Sequence, residues 1–338
     1  MPSAADDLRE ARLAAGHPLR FDHFLAVALY GPHGFYSVAG QAGRRGDFIT
    51  SPEVGPLFGA VLANWIAAEH ERQGSPDEFT VVEAGAGPGT LARAVLAAAP
   101  QWAGRYVAVE VSAAQRAQHP DGVESVPTLP EVATRGVVIA NELLDNLPFR
   151  LAVFDGGWRE AYVEVGTDGA TSEVTVPAPA EWAWLPAHAP HGARVPVQAA
   201  ASDWVRAAQQ AVPGGAVLAF DYCTARTAAV AALPWREWLR TYRGHQRGAH
   251  YLRDVGQQDV TTQVCVDQLP EPSSVRTQAQ FLQRWGIDDL VEEGRTVWNA
   301  KASSPDLQAL RMRSRVREAE SLLDPSGLGG FLALEWRS

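Results

Sequence analysis

The most specific chemistry in this chain lies in Glu83-Ala84-Gly85-Ala86-Gly87-Pro88-Gly89-Thr90, which follows the β-branched run Thr80-Val81-Val82 and leads into a helix-like stretch. Alternate glycines let a backbone bend sharply and lie against a ligand with no Cβ in between. Glu110 closes the next such run, Arg105 to Glu110, at the point where a carboxylate accepts hydrogen bonds from both hydroxyls of an adenosine ribose. Nicotinamide-dinucleotide enzymes share this geometry, but they space the glycines G-x-G-x-x-G and seat a pyrophosphate on the helix N-terminus. Here the spacing is G-x-G-x-G, and Glu83 at the strand end repels a pyrophosphate and attracts an ammonium. The residues therefore favour S-adenosyl-L-methionine, held through Glu83, Gly85, Gly87, Gly89 and Glu110. A tight strand-to-helix turn with no ligand would use the same glycines.

A sulfonium methyl donor asks its enzyme to orient a nucleophile and exclude water, and it needs no metal. For a guanidinium nucleophile, carboxylates in a bidentate arrangement hold the planar fork and localise its charge. Asn141, Glu142 and Asp145 stand at the carboxyl end of a strand-like run, where open α/β sheets bind their ligands. Glu142 and Asp145 are the expected substrate carboxylates and Asn141 an expected cofactor contact, although Asn141 and Asp145 also suit simple capping of the next turn. Glu53 is a third catalytic candidate. Following Ser51-Pro52, it is also an acid that a helix dipole favours in a first turn. Gly46, Phe48 and Thr50, with Asp47, precede it in a loop expected to fold over the cofactor. Asp221 and His245 are weaker candidates, and Trp235, Trp238 and Tyr242 read as packing residues before they read as a cage for a cation.

Positioning these groups requires a parallel sheet. Short apolar runs at Phe79 to Glu83, Arg105 to Glu110, Val137 to Asn141 and Ala216 to Asp221 alternate with helical stretches, which predicts an α/β fold. Leu57, Phe58, Val61, Leu62, Trp65 and Ile66 repeat at helical spacing, predicting one helix from Ser51-Pro52 to Gly74-Ser75-Pro76. A Pro-, Ala- and Trp-rich stretch marks 148–202 as an insertion. A charged helix from about Ser304 to Leu322 and a last strand at Phe331 to Trp336 fit a sheet closed by an antiparallel strand.

The 338 residues carry a formal charge of −10, with no cluster of Lys and Arg fit for a phosphate backbone, so nucleic acid is not an expected partner. Cys223 and Cys265 are the only cysteines, too few for a four-cysteine zinc site or a secreted disulfide framework. With no signal-like N-terminus and no apolar run of spanning length, the expected compartment is the cytoplasm and no membrane is expected.

Several segments together resemble the MidA family, whose mitochondrial member is an arginine methyltransferase needed for assembly of respiratory complex I. They are LYGPHGFYS (29–37), GDFITSPEV (46–54), NELLDNLP (141–148), FDYC (220–223), YRGH (242–245), DVTTQVCV (259–266), TQAQFL (277–282) and LLDPSGLG (322–329). Pro88 stands where that family commonly has arginine, Cys223 where it usually has glycine, and 268–274 is short. The resemblance implies a class I methyltransferase: a Rossmann-like α/β sheet with helices on both faces, an N-terminal helical region and an inserted subdomain. Expected boundaries are 1–75 for the N-terminal region and covering loop, 76–147 with 203–225 for the cofactor core, 148–202 for the insertion, 226–303 for the substrate side and 304–338 for the closing helix and strand. The implied acceptor is a protein arginine, such as one in a respiratory-complex subunit, with a small-molecule N- or O-methyltransferase or an assembly factor without turnover as alternatives. A homodimer is compatible with it.

Overall fold

Seven strands pair into one sheet in the computed structural model, which describes residues 2–38, 50–131, 134–243 and 246–338. They are β1 (Thr80–Ala84), β2 (Tyr106–Val109), β3 (Val123–Val126), β4 (Gly136–Asn141), β5 (Ala216–Asp221), β6 (Ser274–Thr277) and β7 (Leu332–Arg337). Their spatial order is β6-β7-β5-β4-β1-β2-β3. Strands β1 to β5 are parallel, and β7 runs antiparallel to both of its neighbours, β5 and β6. The expected Rossmann-like sheet closed by an antiparallel strand is present. Neighbouring Val81 and Val82 point to opposite faces and are both fully buried, so helices and loops cover the sheet on each side.

The chain divides into two compact units. The sheet unit comprises Ile49–Leu143, Ala207–Asp221 and Pro272–Ser338. Its helices are α1 (Pro56–Arg72), α2 (Thr90–Ala98), α3 (Gln278–Arg284), α4 (Ile287–Lys301) and α5 (Leu307–Leu323). The apolar stripe on α1 is buried as its spacing predicts, and Phe58 meets Phe220 of β5 edge-on at 5.2 Å. Burial of such side chains, at roughly 1.5–3 kcal/mol each, is what fixes α1 to the sheet.

The single helix expected from Ser51 is broken in two. Ser51–Val54 forms one turn, and α1 restarts after Gly55. Pro56 makes the break, since it has no N–H to continue the first turn and forces Gly55 into an extended backbone, and Glu318 of α5 packs against Gly55 and accepts the Leu57 N–H at 2.9 Å. It thereby satisfies an amide that a new helix start leaves open.

The second unit comprises Met1–Phe48, Leu144–Arg206 and Tyr222–Glu271. The segment expected as an insertion supplies antiparallel strands Arg150–Phe154, Trp158–Val165, Thr171–Pro177 and Arg194–Val197, joined at one edge by Leu19–Arg20. Phe21 and Phe24 of the helix Phe21–Tyr30, Phe149, Trp238 and Tyr251 share one buried core with these strands. The unit boundaries thus fall elsewhere than expected. Helix α1 belongs with the sheet it packs on, and 148–202 shares its core with the N-terminal helices and 222–271. No helix among the described residues is long and apolar enough to cross a membrane.

Candidate active site

The glycine turn leaves β1 at Ala84 and enters α2 at Thr90. Gly85, Gly87 and Gly89 have φ of 69°, 53° and 79°, the left-handed region that side chains with a Cβ rarely adopt. A Cβ on Gly85 would come 3.2 Å from Leu143, and one on Gly87 would come 3.2 Å from the Gln115 side chain. His119 braces the turn, its Nε2 lying 2.8 Å from the Gly87 carbonyl.

Glu110, just beyond β2, is buried, and each of its oxygens is held by one backbone amide: Gly87 N–H donates to Oε2 at 3.0 Å and Ser112 N–H to Oε1 at 2.8 Å. Each oxygen keeps a second lone pair for a ligand hydroxyl. The sheet order puts β2 beside β1, which is why an acid so far along the chain meets the turn.

Glu83 is buried within β1 and accepts the Tyr106 hydroxyl at 2.7 Å. Burial pushes its carboxyl up to about 8, against smaller opposing effects from Tyr106 and the Ala92 amide. In the ligand-free chain it is therefore largely protonated at neutral pH. The negative charge expected to repel a pyrophosphate is thus largely absent from Glu83 in the ligand-free chain. Since the folded value lies above the ordinary 4.5, Glu83 contributes stability that is complete below pH 4.5 and lost as pH rises toward 8. Denaturant melts across that window should show stability falling with a slope of up to roughly 1.4 kcal/mol per pH unit from this group, and Glu83→Gln should remove that slope. An unchanged slope in the variant would mean Glu83 ionises as in water.

Asn141 ends β4, and its Nδ2 donates to Glu142 Oε1 at 3.1 Å. Its Oδ1 is buried with no hydrogen-bond partner among the described residues, a costly state for an acceptor unless a ligand completes it. Glu142 has φ of 53°, left-handed for a residue with a full side chain, and its N–H donates to the Phe220 carbonyl of β5 at 2.8 Å. Strain of this kind persists where surrounding structure imposes it, and it concentrates at functional sites.

Glu53 reaches the same region. Its Oε1 accepts the hydroxyl of Thr90, the first residue of α2, at 2.8 Å, so it ties the Ser51–Val54 turn to the glycine turn. Thr50 is buried beside Ser51, whose hydroxyl donates to Gln278 of α3 at 2.8 Å. Gly46, Asp47, Phe48 and His245 lie outside the described residues.

Asp145 belongs to the second unit. It is 2% exposed, within the short turn Leu144–Asn146, and accepts the Asn146 amide at 3.1 Å. Near it are three groups that the sequence analysis did not single out. The Tyr30 hydroxyl donates to the Asn146 carbonyl at 3.0 Å, and Tyr30 stacks on Tyr36 at 5.4 Å. The Tyr36 hydroxyl donates to Asp259 Oδ1 at 3.1 Å, and Asp259 is fully buried. Burial first, then the charges of Asp259 and Asp145, hold the Tyr36 hydroxyl well above its usual value, so it stays a donor. The only trace of this cluster in the sequence was that Tyr30, Tyr36 and Asp259 fall inside segments carrying the family resemblance.

A left-handed glycine turn open to a ligand, an amide-held acid beside it and an orphaned Asn141 oxygen fit an adenosyl cofactor with an amino-acid tail. Residues 61–283 match the model of a family described as "Putative S-adenosyl-L-methionine-dependent methyltransferase". The chain belongs to this family. A candidate methyl transferase from Burkholderia thailandensis, solved with S-adenosyl-homocysteine bound, superposes with a TM-score of 0.85 at 26% identity, covering 99% of this chain and 92% of that one. S-adenosyl-L-methionine is accordingly the cofactor of the methyltransferase fold seen here. A Drosophila melanogaster relative named as a mitochondrial protein arginine methyltransferase NDUFAF7 homologue is 31% identical over 51% of this chain and 47% of its own length. The human protein arginine methyltransferase NDUFAF7 is 36% identical over 23% of this chain and 18% of its own. The match thus spans about half of the fly relative and less of the human one. These relatives and the shared segments make the chain MidA-like within the methyltransferase family.

Proposed function

We propose that this chain transfers a methyl group from S-adenosyl-L-methionine to a guanidinium nitrogen of a protein arginine. The observation that carries the reading is the pair of buried carboxylates, Asp145 and Asp259, acting on one tyrosine hydroxyl beside a stacked Tyr30–Tyr36 pair. Carboxylates hold a guanidinium through charge-assisted, bidentate hydrogen bonds, and aromatic faces attract its delocalised charge. The names of the fly and human relatives support the same acceptor.

When bound, the cofactor supplies an electrophilic methyl on a sulfonium. The backbone of Gly85 and Gly87 and the carboxylate of Glu110 bind the nucleoside, and Asn141 Oδ1 accepts from the ammonium of the amino-acid tail. Glu53 holds the first turn of α2 through Thr90. A carboxylate that meets the guanidinium fixes its plane and polarises its charge toward one nitrogen, with Glu142 and Asp145 the candidates from the sequence. That nitrogen's lone pair forms the new bond to carbon as the carbon–sulfur bond breaks, and the proton it sheds passes to a carboxylate.

The test is methyl-labelled cofactor incubated with the protein and a host lysate, followed by acid hydrolysis and amino-acid analysis. Label is expected in methylarginine. Label only in small metabolites or in other residues would overturn the acceptor. Cofactor binding with no label anywhere would favour an assembly factor without turnover.

A further inference from the structure

We propose that Arg236, His250 and Arg253 form a second binding pocket, in the unit without the glycine turn, that takes a small organic phosphate monoester. Thr171, Arg236, Ala249, His250, Leu252 and Arg253 line a cavity of about 560 Å³. Two arginines and a histidine are among its lining residues, with no acid, in a chain whose formal charge is −10. The nearby Arg194 is already neutralised, since Glu173 accepts from both its terminal nitrogens at 2.6 and 2.8 Å. Arg236 and Arg253 are exposed, and neither forms an ion pair among the described residues. Uncompensated positive charge of this kind is what an anion would meet.

The pocket is built rather than incidental. Buried Gln258 pins its backbone: the Ala249 N–H donates to Oε1 at 2.9 Å, and Nε2 donates to the carbonyls of His250 at 3.0 Å and Arg253 at 2.8 Å. Arg236 lies over the Trp235 ring at 4.8 Å, and His250 meets that ring edge-on at 5.5 Å. The Leu252 N–H donates to His250 Nδ1 at 3.2 Å, which leaves the neutral ring's proton on Nε2 as a donor. Two planar forks and one N–H match the three oxygens of a phosphate monoester better than the two of a carboxylate. The cavity is far larger than phosphate itself, and Ala249 and Leu252 supply apolar wall for an organic group.

Calorimetric titration of the full chain with inorganic phosphate, phenyl phosphate and benzoate tests this. Phenyl phosphate is expected to bind at least about fivefold more tightly than inorganic phosphate and than benzoate. Arg236→Gln and Arg253→Gln should each weaken it about tenfold, and His250→Gln by a smaller factor, while affinity for S-adenosyl-homocysteine stays unchanged as the check on folding. No binding of phenyl phosphate to the native chain, equal binding of benzoate, or undiminished affinity in an Arg236→Gln/Arg253→Gln double variant that still binds S-adenosyl-homocysteine would each overturn the proposal.

Discussion

Gly87→Val is expected to lower affinity for S-adenosyl-homocysteine by at least about a hundredfold, combining roughly 1–2 kcal/mol of left-handed backbone strain with a branched side chain in the ligand's path. The position sits at φ 53°, a Cβ there stands 3.2 Å from Gln115, and its N–H is one of the two amides holding Glu110. If the backbone shifts to relieve the strain, that amide moves too, and the ribose acid loses its orientation. Strain and displacement therefore act in the same direction. Calorimetry against native protein and Gly87→Ala should order the three as native, alanine, valine. Equal affinities would show that the turn does not touch the cofactor.

Asp145→Asn should reduce methyl transfer about a hundredfold through lost orientation and charge, while binding of S-adenosyl-homocysteine and the melting temperature stay near native. Asparagine keeps the shape and one oxygen, so it can still accept the Asn146 amide. What disappears is the carboxylate charge that an arginine substrate needs. Steady-state assays on the labelled acceptor should show the loss chiefly in kcat. A native rate in this variant would remove Asp145 from the chemistry and leave it as a turn residue.

The sheet and the cofactor turn were legible in the sequence because both are local patterns. Four β-branched runs and a helical stripe announce themselves within short windows, and the left-handed turn needs glycines that nothing else replaces. What was not legible depends on partners far apart in the chain. The Gly55-Pro56 dipeptide is itself a local breaker, but Glu318, which meets the amide left open at the new helix start, is not visible in any short window. Glu53 reads equally as a helix-dipole acid until Thr90 is seen to donate to it. Tyr36 and Asp259, 223 residues apart in the chain, share a hydrogen bond that spacing cannot reveal. Glu83 was legible as an acid, but its protonation was not, because that follows from burial.

The position of β7 bears on how the protein is made. It lies between β5 and β6, yet it begins more than a hundred residues after β5 ends. As the chain leaves the ribosome, β5 can pair with β4 at once, but its other edge must wait for that later stretch. Until then the nascent sheet presents Ala216–Asp221, apolar along nearly its whole length, as an open template for strands of other chains. A methyltransferase of this topology thus spends its synthesis with a vulnerable flank until Leu332–Arg337 pairs with it.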